Sequence, residues 1–135
     1  LILPDLPPFE FESKYGKIIK DCGLDFIFLV TPETSVERVK LLDSLSSGFL
    51  YAVSSSSTTG NEKNMNDVVE YVDRLKSYHA KNPIMVGFGI KDKTTFDMLN
   101  GHAHGGIIGS AFIKALDSSN DYSSSASSFI RSILK

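Results

Sequence analysis

Two stretches, VGFGI at 86–90 and GGIIGSAF at 105–112, each carry an apolar run into a glycine turn, and the second turn holds a serine where a helical pattern begins. Together they predict two consecutive βα units whose strand tips face one ligand. A phosphate dianion needs several hydrogen-bond donors converging on one point, and main-chain N–H groups serve only where no Cβ blocks the approach. Gly89 and Gly109 remove that block. Ser110 adds an amide and a hydroxyl, and the helix starting there contributes its positive dipole end. In GFGI the alternation either turns Phe88 away from the two glycines or lets it lean over the ligand as an apolar wall. A third glycine, Gly60, closes the polar stretch SSSSTTG at 54–60. That stretch reads either as a mobile lid over a ligand or as a Ser-rich linker.

Outward from these turns the chain repeats one pattern. Apolar runs at 1–3, 26–30, 49–53, 84–88 and 106–108 are continuous rather than alternating, which predicts strands of a parallel sheet covered on both faces. Helical patterns lie between them. The first covers 8–22 and closes on Gly23 as a left-handed cap. The second covers 35–45, with Val36, Val39, Leu42 and Leu45 along one face. The third covers 67–78, with Val68, Val69, Val72 and Leu75 in a stripe. Shorter helices are expected at 94–99 and from Ser110, and a terminal helix at 129–134, joined through a Ser-rich connection at 117–128. Alternating strands and helices give an α/β fold whose working face is the set of loops at the strands' carboxyl ends. Asp5, Thr31, 54–60, 87–89, Gly109 and Ser110 all fall there.

Composition narrows the function. The chain has 135 residues, 41% hydrophobic and 22% charged, with net charge −2, as expected of one globular domain. No basic field suits a nucleic-acid backbone, and no apolar run reaches the roughly eighteen residues of a membrane span. A soluble cytoplasmic protein is the expectation. Cys22 is the sole cysteine, which excludes an internal disulfide and a thiolate metal cage and predicts a half-buried structural thiol. His102 and His104, in GHAHGG, are expected on a solvated turn opposite the working face, without acidic partners for a metal.

Taken together, DLP at 5–7, FIFLVTPETSVERVKLLDSLSSGFLYAVSSSSTTG at 26–60, VGFGI and GGIIGSAFIK at 105–114 resemble the α subunit of tryptophan synthase. The similarity runs from Asp5 to about Leu116. It implies parallel βα units forming the carboxyl-terminal part, about strands 4–8, of a (β/α)8 TIM barrel. Residues 1–135 would then be a single incomplete barrel domain, and a chain opening inside a strand looks cut. The implied activity is a lyase reaction, cofactor-free retro-aldol cleavage of indole-3-glycerol phosphate to indole and glyceraldehyde 3-phosphate. The implied partner is a β subunit that carries PLP.

By motif, the resemblance assigns Gly60, Gly89, Gly109 and Ser110 to the phosphate. It assigns Tyr51, Phe88, Leu29, Ile107 and Ile2 to the substrate pocket, and Thr59 to a lid that closes on a catalytic aspartate. Asp5 and Pro7 would face the partner. Ser55, Ser57 and Thr58 depart from the commoner RxGVTG loop, which bears on lid rigidity. The acid and base carboxylates would come from an earlier barrel unit, so this segment alone should bind feebly and turn over nothing.

Two other readings compete. A flavodoxin-like module would have sheet order 2-1-3-4-5 and hold a flavin phosphate or an acidic receiver pocket, although no acidic pair follows the first strand. A non-catalytic regulatory partner would keep the phosphate site and lack the acids.

Overall fold

The computed structural model describes residues 1–53, 65–87, 89–118 and 120–135. Its first helical run comprises α1 (Pro8–Glu10), a π-helical segment Phe11–Tyr15 and α2 (Gly16–Asp21). There follow β1 (Leu29–Val30), α3 (Val36–Leu45), β2 (Leu50–Val53), α4 (Met65–Ser77), β3 (Ile84–Gly87), α5 (Lys93–Asp97), β4 (Gly105–Ile107), α6 (Ser110–Asp117) and α7 (Tyr122–Leu134). The π turn is possible because residue 16 is glycine. Its amide donates to the Phe11 carbonyl, and a Cβ there would stand 2.9 Å from that same oxygen. The widened turn seats the Phe11 ring against Phe26 and Phe28, with centroids 4.7 and 5.2 Å away.

All strand pairs are parallel, in the order β1-β2-β3-β4. The amino-terminal run joins only through a parallel bridge from Ile2 to Ile27, outside β1. Strand order therefore follows chain order from edge to edge, the arrangement of a barrel wall. A flavodoxin-like sheet reverses its order at the first strand, so that reading is set aside.

The two faces of this sheet differ, which corrects the expectation of strands covered on both sides. Val30, Leu50, Ala52, Ile84 and Val86 are buried beneath Val39 and Leu42 of α3 and Val68, Val72 and Leu75 of α4. Burying each such aliphatic side chain stabilises the fold by about 1.5–3 kcal/mol. On the other face Leu29, Tyr51, Val53, Met85 and Ile107 are only partly covered. Register places Leu29, Tyr51, Met85 and Gly105 in one row across the sheet. The continuous apolar runs mark a sheet whose second face is barrel interior, and the described residues cover the first face alone.

Other local expectations need correction. The first expected strand is a single bridge with Leu1, Ile2 and Leu3 exposed. Cys22 is exposed, because among the residues of α2 only Ile19 turns into the core. The final helix begins at Tyr122, so much of the Ser-rich stretch at 117–128 is helical rather than connecting. Asp121 accepts the Ser124 amide at 3.0 Å as the cap, and Phe129 meets Phe112 of α6 edge-on at 5.6 Å. Packing of Phe129 and Ile133 outweighs the weak helix preference of serine.

Candidate active-site cleft

At the carboxyl ends of β3 and β4 the chain forms an open cleft of about 280 Å³, lined by Tyr51, Gly89, Ile90, Lys91, Ile107, Gly109, Ser110 and Ala111. Gly89 has φ +82°, a left-handed conformation that a side chain disfavours by roughly 1–2 kcal/mol. Gly109 precedes α6, and a Cβ built on it meets no atom within 4 Å, so the space beside this turn is open. The first amides of α6 have no intrahelical acceptors. The strand tips thus present main-chain donors, a serine hydroxyl and a helix amino terminus to one cleft.

Gly87 has a separate role. A Cβ there would lie 2.1 Å from the Tyr51 hydroxyl and 2.2 Å from its ring. The first glycine of GFG therefore lets the Tyr51 ring lie flat across β3 and wall the cleft. Burial raises the pKa of the Tyr51 phenol, keeping it neutral. Gly105 and Gly106 make comparable room on opposite faces. A Cβ on the first would meet Met85 Cε at 2.7 Å, and one on the second would meet Ile90 Cδ1 at 2.7 Å.

Beside the cleft, Asp92 caps α5, accepting the Thr95 amide at 2.9 Å. That backbone hydrogen bond, followed by the one from the Thr95 hydroxyl, holds the Asp92 carboxyl below the usual carboxylate range. No carboxylate lines the cleft among the described residues, and those residues contain no cluster of metal ligands.

Of the residues expected here, Tyr51, Gly89, Ile107, Gly109 and Ser110 come together around the cleft. Leu29 does not reach it. Together with Asp5 and Pro7 it lines a second cavity of about 270 Å³, whose wall also includes Arg38. Ile2 sits at the sheet edge. Thr59, Gly60 and Phe88 lie outside the described residues.

Sequence reading overlooked Ile90 and Lys91, and it put Gly87 on the working face without its role beside Tyr51. The clue for Gly87 was its parity with Tyr51 on the adjacent strand, visible only once register is known. The two histidines are more engaged than a solvated turn implies. His104 Nδ1 accepts the Ile84 amide at 2.9 Å, and His102 Nδ1 lies 2.8 Å from Asp73 Oδ1. Both lie at the amino ends of β3 and β4, away from the cleft.

Comparison with known proteins places this geometry in a family. The family model for the tryptophan synthase alpha chain matches residues 1–132. The tryptophan synthase alpha chain of Flavobacterium johnsoniae is 48% identical over 120 residues, covering 88% of this chain and 47% of the relative. The structure of the tryptophan synthase A-subunit from Pyrococcus furiosus superposes with a TM-score of 0.80 at 27% identity, covering 98% of this chain and 54% of that one. The tryptophan synthase α2β2 complex from the same organism matches with a TM-score of 0.79 at 25% identity, covering 98% and 53%. This chain spans about half the length of the curated relatives it matches, and its sequential parallel sheet is part of a (β/α) barrel. The chain belongs to the tryptophan synthase alpha chain family.

Proposed function

We propose that the protein containing this chain is a lyase of tryptophan biosynthesis that cleaves indole-3-glycerol phosphate to indole and glyceraldehyde 3-phosphate. The observation that carries this reading is the cleft in which Gly89, Gly109 and Ser110 stand together at the tips of neighbouring strands, beside the Tyr51 and Ile107 side chains. The phosphate takes the amides of the glycine turns and the amino terminus of α6. The apolar wall holds the organic part of the substrate.

Cleavage then requires a proton delivered to the indole ring carbon that bears the side chain. The carbon–carbon bond breaks, and a proton leaves the adjacent glycerol hydroxyl as it becomes the aldehyde carbonyl. The groups moving those protons belong to the part of the protein outside this chain, and Thr59 serves as the lid residue that assists them. A PLP-bearing β subunit is the proposed partner, with Asp5 and Pro7 on the surface facing it. The protein is proposed to be cytoplasmic; among the described residues, no helix is long and apolar enough to cross a membrane.

The test is calorimetric titration of the full-length protein with glycerol 3-phosphate, paired with an assay of indole release. Gly89→Ala adds a Cβ at a position with φ +82°, and Gly109→Val fills the open turn. Each is expected to weaken glycerol 3-phosphate binding by about tenfold or more. Unchanged affinity in both variants removes the phosphate assignment. Tight binding without indole release from the full-length protein supports instead a regulatory partner that keeps the site and lacks the chemistry.

A further inference from the structure

We propose that Lys91 is a substrate-binding residue of this cleft, its ammonium supplying a positive charge to the bound phosphate in addition to the main-chain donors. This inference rests on the phosphate reading of the cleft. Lys91 follows the GFGI turn directly and lines the same cavity as Gly89, Gly109 and Ser110. Among the described residues it is the only lysine or arginine on that wall.

Its surroundings leave the charge available. Among the described residues the Lys91 ammonium makes no ion pair or hydrogen bond; only its amide is engaged, donating to Thr95 Oγ1 at 3.1 Å. Lys93, two residues on, is committed elsewhere, pairing with Asp97 at 3.0 Å. The neighbouring acid, Asp92, attracts the Lys91 charge but forms no salt bridge with it, its carboxylate accepting the Thr95 amide and hydroxyl instead.

A backbone cradle can hold an anion with neutral dipoles alone. It then discriminates weakly between a dianion and a monoanion, because each amide offers only a partial charge. A lysine on a flexible four-carbon stem adds a full point charge at the rim without disturbing the glycine geometry. The consequence is a full-charge contribution that salt screens, added to the smaller salt-sensitive one from the α6 dipole.

The experiment titrates the full-length protein with glycerol 3-phosphate at about 20 and about 300 mM salt, where the screening length falls several-fold. Wild type, Lys91→Gln, Lys91→Arg and Gly109→Val are compared. Lys91→Gln is expected to weaken binding about threefold to tenfold at low salt and to lose most of the wild-type salt dependence. Lys91→Arg should keep both, and the thermal midpoint of Lys91→Gln should match wild type because the side chain is exposed. If Gly109→Val abolishes binding while Lys91→Gln matches wild type at both salts, the lysine assignment is overturned and the phosphate cleft stands. If Gly109→Val also binds like wild type, the phosphate reading itself falls, and the lysine assignment with it.

Discussion

The two ends of β3 and β4 are built on opposite principles. At the amino end a network of hydrogen bonds ties Asp43, Lys81, Asn82, Ile84 and His104 together. The Asp43 carboxylate at the end of α3 accepts the amides of Lys81 and Asn82 at 2.8 and 3.1 Å, and Asn82 Nδ2 at 2.9 Å. Asn82 Nδ2 also reaches the Asp43 carbonyl, and His104 closes the gap to Ile84 with its ring and its own amide. At the carboxyl end, glycines stand where side chains would fill space, and the turns border an open cleft. One end stabilises the sheet and the other is left open; under the proposed function that open end holds the ligand, the division of labour expected of a barrel.

Substitutions can break this contrast in a graded way. The largest effect is expected from Asp43→Ala. It leaves two backbone amides and a side-chain amide without their shared acceptor in a part-buried site, costing about 3 kcal/mol in urea unfolding. Affinity for glycerol 3-phosphate, measured where the variant is still folded, should stay near wild type. A loss of affinity at full folding would mean that the two ends are not separable.

Gly87→Ala should come next, at about 2 kcal/mol, because the new Cβ would overlap the Tyr51 ring. Tyr51→Ala in the same chain removes the overlap, so a double-mutant cycle should show coupling of about 1–2 kcal/mol. Strict additivity would show that the ring does not lie where the register puts it.

The smallest effect is expected in the helix layer behind the strands. Among the described residues the buried Tyr71 hydroxyl has no hydrogen-bond partner, and burial raises its pKa. Tyr71→Phe removes a polar group that has lost its water, and should stabilise the protein by about 1 kcal/mol in thermal unfolding. Destabilisation by that variant would show that the hydroxyl has a partner in solution.

How much of this was legible beforehand varies by element. Glycine turns and helix stripes were readable because each depends on a few adjacent residues. The Ser-rich stretch misled because serine's local preference favours turns, whereas the helix from Tyr122 is held by Phe129 and Ile133 packing on other elements. The resemblance placed Leu29 in the substrate pocket on grounds of motif. The cavity it lines with Asp5 and Pro7 is a matter of where α1 and α3 lie over the strand.

What the sequence by itself determined was the alternation of strands and helices, the positions of the turns, and the bare glycines at two strand tips, all consequences of short-range sterics and periodicity. Only the tertiary structure decided the sequential order of the parallel strands and which face of the sheet is covered. It alone brought Gly87 beneath the Tyr51 ring and Lys91 to the rim of the cleft. Those depend on register between strands far apart in the chain. Register follows from which side chains fill the space between the sheet and its helices, and no single segment encodes that.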